Sequence, residues 1–500
     1  MSGRFLRTLG ALGIGLGLAG CTAPNPSAPQ TYDARSASEQ REGDQAHPQI
    51  LQQFGGAYTR GGVDSYVNDI GVRLAANSEQ PDAKWTFTVL DSPVINAFAL
   101  PGGYVYVTRG LIALANSEAE LAGVIGHEIG HVTAAHSVQR QQQSAIAQAG
   151  VLAAVIGAAI LGADPTAVDA VGKLGSTVGQ GTVASFSRGQ ELEADSLGVR
   201  YLARTSYDPF AQADFLKNMA AQSELSAKLA GQGFDPNRVD FFASHPASAD
   251  RVHQAIAAAR QQGVEMNENA PRNRERFLAE IDGMTYGDSV DQGFVRGRRF
   301  VHPKLGFEFT VPPGFEIINS AASVTARGPR GSGVIFDGGR DPGGALDAYI
   351  SGQWAPQIAK QTRVGQLQGL RTLRINGMDA ATGVMPVATN SGTRAARMTV
   401  IRTPGGRLYR FLGIADPNDS GALAGVEQAA QTFRTLSAAE AAAFRPWRID
   451  VVTVRPGDTV ERLAARMPFD TANAERFRVL NGLGPNEPLR VGEKVKLVVQ

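Results

Sequence analysis

The five residues His127-Glu128-Ile129-Gly130-His131 constrain this chain more than any other stretch. Two imidazoles four positions apart meet on one side only if the backbone there is helical, and on a helix they can reach one metal ion. Glu128, directly after the first histidine, can then approach a metal-bound water as general base. The chain has only 7 His in 500 residues, so this pairing around a glutamate is hard to produce by chance. An ordinary amphipathic helix with two surface histidines is the plain alternative. The flanking residues specify the helix. Ser117 followed by Glu120 is a capping box, and Leu121, Val124, Ile125 and Val132 supply an apolar stripe. His136 follows His127 by nine residues, which at 100° per residue puts it on the opposite face. It is expected to be a solvated or capping histidine.

A metal site of this kind needs a third ligand, and Ser187-Arg188-Gly189-Gln190-Glu191-Leu192-Glu193-Ala194-Asp195 is the place to look. Glu191 and Asp195 stand one helical turn apart and share a face. One carboxylate can bind zinc while the other accepts the free ring N–H of a ligating histidine and fixes its orientation. Glu193 is rotated about 200° from Glu191 and cannot face the same point. Spacing alone leaves a solvated acidic helix equally open.

The start of the chain reads as an export signal. Arg4 and Arg7 precede an apolar run from Leu9 to Ala19, and Leu18-Ala19-Gly20-Cys21 resembles a bacterial lipobox. Residues 1–20 are expected to be a lipoprotein signal peptide and Cys21 the lipidated residue, with an ordinary cleaved signal as the alternative. This places the chain in a bacterial cell envelope, membrane-anchored through Cys21. Thr22 favours the outer membrane facing the periplasm. Cys21 is the only cysteine, which excludes an intramolecular disulfide. Residues 21–47, rich in Pro, Ser, Ala, Gln and charge, are expected to form a flexible tether. Lys+Arg 48 against Asp+Glu 47 gives net +1, so nothing supports a nucleic-acid partner. The nearly pure Ala, Val, Ile, Leu and Gly run at 145–162 is either an arm of a buried helical hairpin or a flap that touches membrane.

Three folded units follow, so the expected class is multidomain α+β. Residues 48–285 combine the motif helix with a small sheet: Trp85, Phe87 and Val89 alternate onto one strand face, and Tyr104–Thr108 follows the turn Pro101-Gly102-Gly103. Residues 286–445 read as an α+β accessory domain with an antiparallel sheet. Its strands include Phe307–Val311, Met398–Ile401 and Leu408–Phe411, and its helices lie near Ala345–Ile358 and Leu423–Thr432. Residues 449–500 read as βααβ: Val452–Thr459 is a strand and then a turn whose Gly457-Asp458-Thr459 caps a first helix, a second helix lies around Ala474–Leu480, and Val491–Val495 returns as a strand.

Three resemblances add to this reading. The motif helix, the Ser-Arg-x-x-Glu-x-x-Ala-Asp segment from Ser187 to Asp195, and Asn96-Ala97-Phe98-Ala99-Leu100-Pro101-Gly102-Gly103 resemble the HtpX/CAAX-protease family of gluzincin metallopeptidases, in its periplasmic, BepA-like branch. The resemblance runs from about Ile50 to Gln262. It implies a zincin-type domain holding one Zn2+ through His127, His131 and Glu191, with Glu128 catalytic and Asp195 orienting a ligand. It also places Ser244-His245-Pro246 near the metal, where His245 would polarise the substrate, stabilise an oxyanion or occupy the open zinc position. Arg251 would hold a substrate carboxylate or form a structural ion pair. The implied substrates are unfolded or unassembled envelope proteins, bound extended along the strand at Asn96–Leu100. The rival outcomes are a chaperone or scaffold with a latent site, and a peptidase of the cell wall. The pattern Phe309-Thr310-Val311-Pro312-Pro313-Gly314-Phe315 resembles PsbP/Mog-like domains and assigns no activity. The C-terminal unit resembles a LysM module, which implies peptidoglycan binding. It departs from that pattern at Val460 and at Met467-Pro468-Phe469.

Overall fold

A computed structural model describes residues 37–137, 186–230, 245, 249–263, 270–319, 323–360, 363–389 and 392–500. The expected signal peptide, Cys21, the 145–162 run, Ser244 and Pro246 lie outside these residues. Among the described residues no helix is long and apolar enough to cross a membrane.

The described chain begins with helix α1 (Ala37–Gln53), so residues 37–47 are not the tether expected from their composition. They are held by contacts that composition does not report. Asp44 accepts the Tyr104 hydroxyl at 2.5 Å, His47 Nδ1 lies 2.7 Å from the Tyr106 hydroxyl, and Phe54 beyond the helix packs on Phe98. Gly43 sits so close to the turn after residue 100 that an added Cβ would lie 2.4 Å from the Pro101 carbonyl oxygen.

Helix α2 (Val63–Ala75) and a three-stranded sheet come next: β1 (Thr86–Leu90), β2 (Ala97–Leu100) and β3 (Tyr104–Thr108). The order is β1-β3-β2, with β1 parallel and β2 antiparallel to β3. The Gly102-Gly103 turn between β2 and β3 has both residues at positive φ, 83° and 80°, a conformation that favours glycine. β2 is therefore an edge strand. A short helix α3 (Arg109–Leu114), capped by Thr108, leads into α4 (Glu118–Thr133), which carries the motif.

α4 is almost entirely buried. Ser117 accepts from the Glu120 backbone N–H as the capping box requires, but the Glu120 carboxylate reaches one residue further back, to Asn116 N–H at 2.9 Å. Glu118 in the first turn accepts from the Tyr66 and Tyr207 hydroxyls. Helix α5 (Arg188–Arg204) crosses α4 where glycines let the backbones meet. A Cβ on Gly126 would lie 3.2 Å from Gly198 Cα, and one on Gly198 would lie 3.0 Å from the His127 backbone nitrogen. Helices α6 (Ala211–Ala230), α7 (Ala249–Gln261) and α8 (Arg274–Ile281) complete the helical layer.

The accessory segment carries the expected antiparallel sheet. Short strands β4 (Thr285–Tyr286), β5 (Phe294–Arg296), β6 (Arg299–His302) and β7 (Phe307–Thr310) precede β8 (Glu316–Asn319), β9 (Val324–Arg327), β10 (Gly333–Arg340), β11 (Gln368–Ile375), β12 (Met378–Thr389), β13 (Gly392–Arg402) and β14 (Arg407–Ala415). The seven last-named strands form one sheet in the order β11-β12-β13-β14-β10-β9-β8. One face packs on a Phe-rich cluster that includes Phe307, Phe309, Phe336 and Phe411 together with helix α9 (Ser420–Gln431). The other packs on helical turns around Leu346, Ile350 and Trp354. β15 (Arg434–Thr435) pairs with β7.

The C-terminal unit is β16 (Trp447–Thr453), α10 (Val460–Ala464), α11 (Asn473–Leu480) and β17 (Lys494–Val499), the expected βααβ order. β16 pairs with β17 on one side and with β4 on the other. Its apolar residues Ile449, Leu463, Phe477, Leu480 and Leu497 belong to the same buried cluster as Val67, Leu111, Ile125 and Phe277. The unit expected as a separate domain from residue 449 thus shares a core with the segment that holds the motif. A chain that must bury one sheet face and two short helices in about fifty residues has little core of its own, and the neighbour supplies it.

Candidate metal centre

Helix α4 presents His127 and His131 on one face, as the spacing predicts, with their Nε2 atoms 3.0 Å apart. Glu191, in the first turn of α5, brings Oε1 to 3.4 Å from His131 Nε2 and Oε2 to 3.6 Å from His127 Nε2. α5 starts where it does because Ser187 and Gln190 form a full capping box. His245 joins the group: its Nδ1 is 3.0 Å from Glu191 Oε1 and 3.3 Å from His127 Nε2. These four donors lie within 4.8 Å of one another and all are buried. Tetrahedral zinc with ligands near 2.0–2.1 Å would separate neighbouring donors by about 3.3 Å. The observed spacings straddle that value, so the donor set fits a single zinc-sized ion.

Asp195 stands one turn beyond Glu191, and its Oδ1 lies 2.9 Å from His127 Nδ1, leaving Nε2 of that ring toward the donor group. Arg251 is buried, not offered to a substrate. Its Nε and NH2 donate to the two Asp195 oxygens at 2.7 and 2.8 Å, and NH1 is 2.8 Å from Glu191 Oε2. Gln212 also donates to Asp195 at 3.0 Å. Of the two roles open to Arg251, the structure shows the ion pair.

Electrostatics follow from this wiring. Burial alone would raise the Asp195 carboxyl, but hydrogen bonds from Arg251 and His127 outweigh it and hold the group well below the usual carboxylate range. Glu191 is held down in the same way, against burial, by His131 and His245. Burial keeps His131 well below the ordinary imidazole value, so it stays neutral, as a metal ligand must. His127 goes the other way: burial opposes its charge, yet the Asp195 carboxylate raises it. Glu128 is raised by burial, toward the range useful to a general base. Both of its carboxylate oxygens are buried with no hydrogen-bond partner. His245 Nε2, at 3.6 Å, is too far to satisfy them. A buried carboxylate left without donors points to a missing polar occupant beside it.

Two residues were not read from the sequence. His136, expected on the solvated face, is fully buried, with its Nδ1 2.8 Å from His131 Nδ1. The helical extrapolation fails because α4 stops at Thr133 and Ala135 turns the chain with φ 53°. Phe186 stacks on the His131 ring at 3.9 Å between centroids. Its only signal was its place directly before the Ser187 cap.

Two histidines a turn apart on one helix, with a glutamate from a second helix completing the donors, define the gluzincin class of metallopeptidase domain. Residues 63–259 match the model of Peptidase family M48. Over 204 residues it is 33% identical to the Beta-barrel assembly-enhancing protease of Yersinia pestis, covering 40% of this chain and 39% of that one. Over 220 residues it is 28% identical to the Mitochondrial metalloendopeptidase OMA1 of Schizosaccharomyces pombe, covering 43% of this chain and 59% of that one. The chain thus spans about two fifths of the first of these relatives. Among solved structures, the cyanobacterial PsbP of Synechocystis sp. PCC 6803 aligns at a TM-score of 0.24 and 17% identity, over 29% of this chain and 98% of that one.

Proposed function

We propose that this chain is a lipid-anchored zinc metalloendopeptidase of the bacterial envelope that cuts misfolded or unassembled envelope proteins. The observation that carries the reading is the buried Glu128 carboxylate, unpartnered beside three donors spaced for zinc. His127, His131 and Glu191 would hold the ion. Bound there, zinc supplies Lewis-acid polarisation of water and of the scissile carbonyl. Glu128 takes the proton of the attacking water and passes it to the leaving amine, as its raised affinity for protons suits it to do. Asp195 and Arg251 hold His127 in the ligating tautomer. The edge strand β2 offers free backbone groups to an extended substrate segment, which selects for unfolded chains.

The envelope setting is supported by the lipobox ending at Cys21 and by the names of the relatives, one of which is an assembly-enhancing protease. The βααβ unit supports a LysM-like module and a peptidoglycan tether. The test is Glu128→Gln in the full chain: casein cleavage should vanish while zinc stays bound. Cleavage at the parent rate would overturn the mechanism.

A second reading has its own observation. His245 Nδ1 stands at donor distance from both His127 and Glu191, where a fourth ligand would sit. With His245 on the ion the site is latent, and the protein holds clients as a chaperone or scaffold until His245 swings away.

A further inference from the structure

The two helical histidines are wired differently. His127 meets a carboxylate directly, whereas His131 meets another imidazole. We infer that His136 and Glu193 form a relay that sets the tautomer of His131, with His136 as a positioning residue and Glu193 as its outer anchor. The inference rests on the zinc reading above.

The argument is one of proton counting. A neutral histidine that ligates through Nε2 must carry its hydrogen on Nδ1. Nδ1 of His131 lies 2.8 Å from Nδ1 of His136, and one hydrogen serves that contact. If His131 donates, His136 must accept on Nδ1 and therefore carries its own hydrogen on Nε2. That atom lies 3.3 Å from Glu193 Oε2, and an ionised carboxylate can only accept. Each link thus fixes the next, from Glu193 through His136 to a lone pair on His131 Nε2. The opposite tautomer of His136 would donate to His131 Nδ1 and leave the hydrogen on Nε2, blocking the ligand atom.

The fold builds this relay deliberately. α4 ends at Thr133, and the left-handed Ala135 returns the chain so that His136, fully buried, lies against His131. Glu193 points away from the donor group, as its 200° offset from Glu191 requires, and meets His136 there. Its side chain is 60% exposed. One ligand is therefore oriented from the buried Asp195–Arg251 pair and the other from a carboxylate at the surface.

The experiment measures zinc affinity of the full chain by chelator competition and records the visible spectrum of the cobalt-substituted protein. His136→Leu should weaken zinc by about 10–100-fold, the scale for losing such an outer partner, and should alter the cobalt bands. His136→Asn, whose side-chain oxygen takes the place of Nδ1 as acceptor, should restore both. Glu193→Ala lies at an exposed position and leaves the core intact. It should weaken zinc in the parent and cost nothing once His136 is Leu. Parent-like affinity and spectrum in His136→Leu, or a Glu193→Ala loss that persists without His136, would overturn the relay alone. A parent that binds no zinc, or binds it equally well as His131→Ala, overturns the metal reading and the relay with it.

Discussion

The side-chain nitrogen of Lys496, on the last strand, lies 2.7 Å from the carbonyl oxygen of Ala113, at the end of the helix before the motif helix. It also donates to Ala115 at 2.5 Å, and burial pushes its pKa well below the ordinary lysine value. Lys496 is fully buried and far apart in sequence from both. Its backbone is held in turn by Asn481, whose side chain accepts from Lys496 N–H and donates to its carbonyl. The C-terminal unit is thereby pinned to the segment that aims His127 and His131.

Lys496→Met should therefore destabilise the motif helix as well as the C-terminal unit. Two buried carbonyls lose their donor, a loss of roughly 2–4 kcal/mol on the scale for unmade buried hydrogen bonds. Urea unfolding followed by intrinsic fluorescence should show the midpoint fall. Two separate transitions, with only the C-terminal one shifted, would contradict the shared core.

The helix crossing predicts a second loss. Gly198 faces the His127 backbone nitrogen, and its missing Cβ is what lets α5 approach α4. Gly198→Val must push the helices apart near the donors, since backbone lies in the way and cannot rotate aside. Overpacking of this kind costs about 1–3 kcal/mol. Displacing Glu191 from the histidines should also weaken zinc. Zinc competition on the folded variant should show reduced affinity; unchanged affinity would mean that α5 slides without moving Glu191.

The donors were legible because their spacing encodes helical geometry. His127 with His131 and Glu191 with Asp195 each share a helix face as the i, i+4 pattern implies, the meeting of the two pairs was implied by the family resemblance alone, and Ser117 caps its helix as expected. The strands at Thr86–Leu90 and Tyr104–Thr108 followed from alternation and a Gly-Gly turn. What escaped were residues placed by chain reversals and long-range contacts. His136 depends on where α4 stops, which no periodicity in the pattern marks. Helix α1 depends on Tyr104 and Tyr106, sixty residues downstream, and its own composition reads as a linker. The role of Arg251 could not be chosen before the carboxylates beside it were known.

The accessory segment carries a pH dependence of its own. His302 is buried against Phe300 and Phe307, and its Nδ1 accepts from Leu305 N–H at 3.3 Å. Burial, with repulsion from Arg407 and Lys304 and only weak opposition from Asp291, brings its pKa down to about 4. A histidine whose folded pKa lies below its unfolded value of 6.5 contributes stability that is complete above 6.5. Between pH 6.5 and 4 the unfolded chain binds the extra proton, so stability falls as pH falls. His302→Asn keeps an acceptor for Leu305 without a titrating group. The parent's unfolding midpoint should drop relative to this variant across that window, and parallel pH profiles would remove His302 as the cause.

His245→Ala separates the open enzyme from the latent one. Its Nδ1 stands at donor distance from His127 Nε2 and Glu191 Oε1, while its Nε2 is 3.6 Å from Glu128. If this imidazole fills the fourth position, removing it frees that position for water and leaves three protein donors, enough for a catalytic zinc. A closed state favoured by even about 1.4 kcal/mol holds back activity tenfold, so casein cleavage should rise by about that factor or more with zinc retained. If His245 instead steadies the oxyanion, the same substitution should cost about a hundredfold or more in kcat, the loss expected for one such donor. The donor spacing favours the gain, and a loss of that size would rule out latency through His245.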